Sequence, residues 1–279
     1  MSDPFKIFGP TALGLSGGRS SAYMLWRVLH ANGGWPVGHD FEPIFANTGR
    51  EAEATLEFVR EISLRWSVPI RWVEYRPDGV GFSEVSFETA SRKGEPFEAL
   101  IRKKKYLPNP VARFCTAELK VIPTESLLKS RGWDEWDNMV GFRADEPLRV
   151  AKVRARPVLP ESPGVERCVP LAAAGVTKAT VRDFWAAQPF DLNLPIDFDG
   201  TTIDGNCDGC FLKSPFQRVS AMQRNPDMPV WWAAMETLTN ARFTKDGHSY
   251  AEMAKFAANQ QNMFDPNQQA IDCLCGETV

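Results

Sequence analysis

The stretch Leu15-Ser16-Gly17-Gly18-Arg19-Ser20-Ser21 decides how this chain folds. The short apolar run before it, residues 11–15, is typical of a strand, and the residues after it repeat apolar side chains at helical spacing. Two glycines let the backbone approach an anion closely, while serine hydroxyls and the amides of a helix N-terminus donate hydrogen bonds to it. We therefore predict a strand–loop–helix unit that binds phosphate through Ser16, Gly17, Gly18, Arg19, Ser20 and Ser21.

The first half of the chain continues with the same alternation of short apolar runs and helical patterns. Residues 43–46, 70–75 and 138–142 are predicted strands, and residues 118–129 are a predicted helix. A further helix is expected to carry Glu51 and Glu53 in its first turn, where carboxylates suit the positive end of the helix dipole. This alternation predicts an α/β fold with a doubly wound parallel sheet.

The second half of the chain differs in composition. Four prolines between residues 157 and 170 predict a loop-rich connection, and an N-capped helix is predicted for residues 177–187. We therefore expect two regions. Residues 1–156 should form the phosphate-binding core, and residues 157–279 a helical and loop-rich extension packed on it.

The composition excludes some classes of protein. With 43% hydrophobic and 24% charged residues among 279, the chain is typical of a globular protein with a sizeable core. No apolar run approaches the roughly 20 residues that span a bilayer, so we expect no membrane partner. The net charge of −3 argues against nucleic-acid binding driven by overall charge and leaves only a local basic patch, such as residues 149–156. Residues 1–6 lack the pattern of a secretion signal, and six cysteines then indicate a reducing cytoplasm.

Two further motifs lie where strands are predicted to end. Asn47-Thr48-Gly49 follows the second strand, and Gly141-Phe142-Arg143 follows a later one. Open α/β sheets bind ligands at the carboxyl ends of their strands. Arg143 is a candidate catalytic residue because a guanidinium can bind a phosphate through two hydrogen bonds; the alternative is a turn paired with the acidic residues that follow. The candidate cofactor-binding residues at the second strand are Asn47, Thr48, Gly49 and Glu51.

The cysteines form a third motif. Cys207-Asp208-Gly209-Cys210 is a turn that aims two thiols at one point, as zinc and iron–sulfur clusters require, and Cys115 is a third candidate ligand. Their spacing leaves four assignments open: an iron–sulfur cluster, a zinc site completed by Cys168 or by the pair Cys273 and Cys275, a dithiol redox pair, or plain buried thiols.

Together these motifs resemble those of the PP-loop enzymes related to phosphoadenylylsulfate (PAPS) reductases. The glycine loop is similar to the PP-loop pattern Ser-Gly-Gly-x-Asp-Ser, with Ser20 in place of the aspartate. Asn47-Thr48-Gly49 is similar to the family's second-strand signature. Residues 113–123 resemble its Cys-Cys-x-x-x-Lys-x-x-Pro segment, with Cys115 and Lys120 as the cysteine and the lysine. The resemblance covers about residues 11–150, with further similarity around Cys207.

The resemblance implies ligands for these residues. It implies an adenine nucleotide, either ATP or a sulfonucleotide, at the glycine loop. It implies that Lys120 is a catalytic residue that contacts a phosphate or sulfate, although a surface lysine is the alternative. It also implies a [4Fe–4S] cluster on Cys115, Cys207 and Cys210, with zinc as the alternative metal. Three protein ligands would leave one iron open to a sulfur ligand, as the resemblance implies for some tRNA-thiolation enzymes.

Three functions are consistent with this sequence. The first is ATP-dependent adenylation of an acceptor, followed by sulfur transfer to it. The second is a sulfonucleotide reductase, in which the catalytic residue Cys275 attacks the sulfate sulfur and a thioredoxin-type reductant releases sulfite. Cys275-Gly276 partly matches the Glu-Cys-Gly-Leu-His tail of PAPS reductases. The third is a nucleotide-binding module without catalysis, which Ser20 in place of aspartate permits. The sequence does not identify the sulfur donor or acceptor.

Overall fold

A single seven-stranded sheet organises the first 168 residues of the chain. The computed structural model describes residues 3–196, 202–205, 207–244 and 247–259. In them the strand order is β4-β3-β2-β1-β5-β7-β6; the inner pairs are parallel, and the outer pairs β3–β4 and β6–β7 are antiparallel. The strands are β1 (Thr11–Leu15), β2 (Phe41–Asn47), β3 (Arg71–Tyr75), β4 (Phe82–Val85), β5 (Trp136–Met139), β6 (Val158–Leu159) and β7 (Ser162–Cys168).

Helices connect the strands and continue beyond the sheet. Those within the sheet region are α1 (Arg19–Ala31), α2 (Glu53–Arg65), α3 (Glu95–Lys104), α4 (Phe114–Thr116), a π-helical turn (Ala117–Val121), α5 (Ile122–Ser130) and α6 (Pro147–Ala155). Those after it are α7 (Pro170–Ala173), α8 (Lys178–Ala186), α9 (Pro215–Arg224), α10 (Met228–Thr239) and α11 (Tyr250–Asn259). No helix of the described residues is both long enough and apolar enough to cross a membrane.

The sheet buries both of its faces, because successive side chains of a strand point to opposite sides. Leu13 of β1 and Phe45 of β2 share one apolar core with α1, α2 and α8. Ala12 and Ile44, their neighbours along the strands, lie in a second core with Leu127 of α5 on the other side. Near-continuous apolar strands are expected of a sheet covered in this way. The predicted α/β fold with a doubly wound sheet is confirmed, with one antiparallel strand at each edge.

The last three helices pack against α3 around a separate aromatic core. Trp232, Phe243 and Tyr250 are fully buried there, together with Phe97 of α3. The Trp232 and Tyr250 rings stack with their centroids 5.2 Å apart. This packing places the segment around residue 207, which precedes α9, next to the carboxyl end of β2.

Two predicted elements differ in detail from the observed ones. The strand predicted for residues 138–142 is β5, Trp136–Met139, because the Phe142 N–H turns back to the Val140 carbonyl at 2.9 Å and leaves the strand ladder. The helix expected to include Glu51 in its first turn is α2, which begins at Glu53. Glu51 instead forms an isolated antiparallel bridge with Cys207.

The sheet continues beyond residue 156, where the sequence predicted the end of the core. The proline-rich stretch that follows was expected to lack regular structure, but it contains β6 and β7. β7 pairs in parallel with β5, with Met139 opposite Cys168. Gly164 fits this position because a Cβ there would stand 2.2 Å from the Asp134 carbonyl oxygen. The prolines of this stretch lie outside the paired positions of β7, so they do not interrupt its hydrogen bonds to β5. The proline-rich composition therefore did not indicate that the stretch contains a strand of the central sheet.

Candidate functional site

The glycine loop connects β1 to α1 at the carboxyl edge of the sheet. Gly17 has φ = 73°, a conformation that side chains disfavour, and a Cβ on it would lie 2.3 Å from Thr55 Cγ2. Gly18 then caps α1 in an extended conformation. Ser16 and Ser21 close the loop, because the Ser16 N–H donates to Ser21 Oγ at 3.1 Å and Ser21 Oγ donates to the Gly18 carbonyl at 3.0 Å. The loop is therefore closed by its own serines at the N-terminus of α1, a position where anions commonly bind in proteins.

Residues from the second half of the chain hold this loop in place. The Arg19 guanidinium donates two hydrogen bonds, of 2.6 and 2.7 Å, to the Asp191 carboxylate and a third to the Leu192 carbonyl at 3.1 Å. Trp185 Nε1 donates to the Arg19 carbonyl at 3.0 Å. Arg19 is thus bound at the rim of the loop by contacts from α8 and from the segment that follows it.

Arg143 reaches the loop from the segment after β5. Its Nη1 donates to Ser20 Oγ at 3.0 Å, and its Nε donates to Asp145 at 2.9 Å. Ser20 occupies the position of the aspartate in the PP-loop pattern, so a guanidinium here contacts a hydroxyl rather than a carboxylate. Glu146 lies 3.4 Å from the same guanidinium and accepts the Arg143 N–H at 3.1 Å. Three contacts therefore orient Arg143 toward the loop.

The loop and Arg143 border an open cavity of about 510 Å³. The cavity lies at the carboxyl ends of β1 and β5, the place where open α/β sheets bind ligands. Its charged lining is mainly cationic, with five basic and two acidic side chains among the described residues. These are Arg19, Arg143, Arg149, Lys178, Arg182, Glu146 and Asp191.

The sequence analysis missed the part of this lining that α8 contributes. Lys178 and Arg182 are one helical turn apart, so they share a face of the helix. Trp185 and Asp191 follow on the same side of the cavity. The signal was present in the sequence, because Thr177 caps this helix through a capping box with Thr180 and so fixes which residues open it. The cap therefore identifies Lys178 and Arg182 as basic residues near the start of one helix. Such residues are candidates for binding a phosphate.

A second group of polar residues lies at the carboxyl end of β2. Thr48 Oγ1 donates to Glu51 at 2.8 Å and lies 3.4 Å from Cys207 Sγ. Lys120 Nζ stands 3.6 Å from the Glu51 carboxylate. Burial alone would lower the pKa of Lys120, but the Glu51 carboxylate and then Cys207 raise it above its ordinary value. Lys120 is therefore a protonated partner of Glu51 in this group.

Cys115 and Cys210 join these residues, and we call Cys115, Cys207 and Cys210 the thiol cluster. Burial and the nearby Cys210 raise the pKa of the Cys115 thiol. Burial and the Glu51 carboxylate raise the pKa of the Cys207 thiol to about 12. Soft thiol donors suit iron–sulfur clusters and zinc. In the described parts of the chain, however, no three or more Cys, His, Asp or Glu side chains converge as metal ligands, so the thiols as placed do not fit a metal centre.

The turn that carries two of these thiols is fixed to the β2–α2 loop. The Arg50 guanidinium forms a buried ion pair with Asp208, and the Asp208 N–H donates to the Arg50 carbonyl at 2.7 Å. Trp232 Nε1 also donates to Asp208, at 2.9 Å. Gly209 packs closely against α10, because a Cβ on this residue would lie 2.6 Å from Met228 Sδ. The turn is therefore held from two sides.

The structure places the predicted site residues in two separate groups. All six residues of the glycine loop and Arg143 line the cavity. The residues after β2 do not line it: the Asn47 side chain donates to Glu74 at 2.7 Å, and Gly49 packs against Pro96. Thr48, Glu51 and Lys120 lie instead with the thiol cluster. Cys273 and Cys275 lie outside the described residues.

Known proteins resemble this chain in sequence and in structure. No protein-family model matches this chain. The uncharacterized nin region protein ORF290 of Escherichia phage lambda is 30% identical over 208 residues, 71% of this chain and 64% of that protein. This chain therefore matches just under two thirds of the length of that relative.

Two solved structures also resemble this chain. A phosphoadenylyl-sulfate (PAPS) reductase from Candida auris, in a phosphate complex, has a TM-score of 0.43 and 18% identity over 66% of this chain and 76% of its own. The U34-tRNA thiolase NcsA from Methanococcus maripaludis, with its [4Fe-4S] cluster, has a TM-score of 0.38 and 13% identity over 92% of this chain and 83% of its own.

Proposed function

We propose that this chain is a PP-loop enzyme of the PAPS reductase-like group, and that it binds the phosphates of an adenine nucleotide in the 510 Å³ cavity. The observation that carries the proposal is the glycine loop at the start of α1. Gly17 has a conformation and a packing that exclude a side chain, and the loop opens directly into a cavity with mainly basic walls. Backbone amides at a helix N-terminus combined with guanidinium groups form a strong phosphate site.

The reaction that we propose is adenylation followed by sulfur transfer. An oxygen or nitrogen of the acceptor would attack the α-phosphate of ATP, and pyrophosphate would leave. The outer sulfur of a cysteine persulfide, accepted from a sulfur donor, would then displace AMP, and a second thiol would free the thiolated acceptor by forming a disulfide with that cysteine. Arg143 and Arg149 would neutralise the charge that develops on the phosphates. Cys115, Cys207 and Cys210 supply thiols for carrying sulfur. The proposal assigns no step to an iron–sulfur cluster or to zinc, because the thiols do not converge as ligands.

A sulfonucleotide reductase is the second candidate, and the contact of Arg143 with Ser20 favours it. With a hydroxyl in place of the PP-loop aspartate, the loop adds no carboxylate beside the phosphates. A substrate whose anionic groups are bound by basic side chains and backbone amides, without a carboxylate from the loop, fits this arrangement. In that reaction the Cys275 thiolate would attack the sulfate sulfur and displace the nucleotide through its phosphate oxygen, which leaves an S-sulfonate on Cys275. A thioredoxin-type dithiol would then attack the Cys275 sulfur, release sulfite and become oxidised to a disulfide.

Nucleotide titration tests the proposed function. We expect ATP or PAPS to bind the purified protein, and Arg143→Gln to weaken binding about tenfold or more through loss of a charge-assisted hydrogen bond. Arg167→Gln is the control, because Arg167 lies outside the cavity lining. Isothermal titration calorimetry measures both. Equal affinities in the two variants, or binding of neither nucleotide, would show that the cavity is not the nucleotide site.

Product assays then separate the two reactions. Release of pyrophosphate from ATP, in the presence of an acceptor, supports adenylation. Release of sulfite from PAPS with thioredoxin, abolished by Cys275→Ser, supports the reductase. Binding without either product leaves the chain as a nucleotide-binding module.

A further inference from the structure

Lys213 follows the Cys-x-x-Cys turn, and its side chain is half-buried. Its backbone N–H donates to the Cys210 carbonyl at 3.0 Å. Its ammonium nitrogen is inaccessible to solvent and has no hydrogen-bond partner in the portion of the chain that the structure describes. A buried charge is unfavourable unless it is paired, so the surroundings of Lys213 call for a negative partner.

The carboxylates near Lys213 are bound by other groups. Asp204 accepts two hydrogen bonds from Arg224, of 2.8 and 3.1 Å. Asp208 accepts from Arg50, from Trp232 and from the Gly209 N–H. Each carboxylate therefore already neutralises an arginine. Among the described residues, no carboxylate is therefore left to pair with Lys213, and burial lowers the pKa of its ammonium group.

Arg218, in the second turn of α9, adds a second buried cation. Its side chain is almost completely buried, with 3% of the residue exposed, and neither Nε nor Nη1 has a hydrogen-bond partner among the described residues. The guanidinium carbon stands 5.6 Å from the Tyr250 ring centroid. The Tyr250 hydroxyl donates to the Gly209 carbonyl, so Arg218 borders the same turn as Lys213. The nearby Glu236 carboxylate already accepts the N–H groups of Phe243 and Tyr250.

We propose that Lys213 and Arg218 form a second anion site beside the Cys207-x-x-Cys210 turn, and that it binds a small tetrahedral oxyanion such as sulfate, thiosulfate or phosphate. An ammonium and a guanidinium with two free N–H donors match the charge and the acceptor geometry of such an ion. None of these residues lines the nucleotide cavity, so the site is separate from the glycine loop. The inference does not depend on the proposed reaction.

Protection of Cys210 from alkylation tests this site locally. Cys210 is half-buried and lies three residues before Lys213. The rate of its modification by iodoacetamide is measured by peptide mass spectrometry, while sulfate, thiosulfate or phosphate replaces chloride at constant ionic strength. We expect a saturable decrease in rate with at least one of the three anions. The anion that protects Cys210 at the lowest midpoint concentration is the preferred ligand of the site.

Substitutions at Lys213 give the decisive comparison. Lys213→Met should raise the midpoint about tenfold or more, through loss of a charge-assisted hydrogen bond, whereas Lys213→Arg should retain protection. Lys255→Met is the matched control, because Lys255 is exposed on α11. Thermal denaturation of each variant establishes that it is folded. Arg218→Gln provides an independent variant with the same expected direction.

Two results would overturn the inference. The first is an unchanged midpoint in Lys213→Met, or no protection by any of the three anions in the wild-type protein. The second is a slower alkylation of Cys210 in Lys213→Met without added oxyanion, because it would show that the ammonium stabilises a thiolate instead.

Discussion

Gly17 and Gly18 are adjacent in the glycine loop but are under different constraints. Gly17 combines φ = 73° with a Cβ position only 2.3 Å from Thr55 Cγ2, and both features oppose any side chain. Gly18 has φ = −104°, and its nearest neighbour would be Ser16 Oγ at 3.5 Å, an ordinary contact distance. The loop therefore requires a glycine at the first position only.

We expect Gly17→Ala to destabilise the protein by about 1–3 kcal/mol, because the substitution imposes backbone strain and a steric clash. Nucleotide affinity should fall with it, since the loop must move. Gly18→Ala should change the free energy of unfolding by roughly 0.5 kcal/mol or less. Urea unfolding and calorimetric titration measure the two effects. Similar losses in both variants would contradict the role given to the Gly17 conformation.

The residues of the site differ in how far the sequence reveals them. The glycine loop is local, so a strand-like run, two glycines and a helical pattern were enough to predict it. Glu51 is different, because its bridge to Cys207 joins residues that are distant in sequence. Lys213 likewise gives no local signal, since its burial depends on the packing of α9 to α11. Tertiary contacts of this kind cannot be inferred from one sequence.

Between elements, the ion pair of Arg50 and Asp208 is the main polar link from the β2–α2 loop to the Cys-x-x-Cys turn. The Arg50 side chain is 9% exposed and the Asp208 side chain 23% exposed, so removal of one partner leaves the other charge largely buried. The exposed pair of Arg92 and Glu53, with 32% and 51% exposure, links α2 to the segment before α3. The two pairs offer a direct comparison of a buried link and a solvated one.

We expect Asp208→Asn to cost about 3 kcal/mol of unfolding free energy, near the lower end of the range for breaking a buried pair. Glu53→Gln should cost no more than about 1 kcal/mol, as is usual for an exposed pair. Chemical denaturation of both variants provides the measurement, and a double-mutant cycle with Arg50→Met isolates the interaction. A cycle energy near zero would mean that the turn is held by packing alone.

Elements with strong local patterns were predicted well, and elements defined by pairing partners were not. β1 and α8 lie within one residue of their predicted positions because apolar patterns and caps determine them. β7 was missed because its sequence, Ser-Pro-Gly-Val-Glu-Arg-Cys, contains the residues typical of loops. It forms a strand because β5 offers an unpaired edge, which is a property of the sheet rather than of the segment.

For the molecule as a whole, the net charge is negative, but the charge in the cavity is positive. The chain carries −3 overall, whereas the cavity at the glycine loop has five basic and two acidic side chains in its described lining. The cavity therefore attracts anions in spite of the net charge, and this attraction weakens when salt screens partly exposed charges.

We expect nucleotide affinity to increase from AMP to ADP to ATP at low ionic strength, because each added phosphate carries negative charge that the basic side chains of the cavity attract. The differences should shrink between about 0.05 and 0.5 M NaCl, as the Debye length falls. Adenosine, which carries no phosphate, should show little dependence on salt. Titrations of the four ligands at several salt concentrations test this expectation. An identical salt dependence for adenosine and ATP would contradict phosphate binding by the basic walls.

The contact between Arg19 and Asp191 joins positions 172 residues apart, so the two partners are synthesised at different times. At ribosomal rates of about 5–20 residues per second, Arg19 is synthesised roughly 10–30 seconds before Asp191. During that interval β1 and α1 can form, but the loop lacks the carboxylate that orients its arginine. A nascent chain released before residue 191 would therefore fold much of its sheet without acquiring a finished nucleotide site.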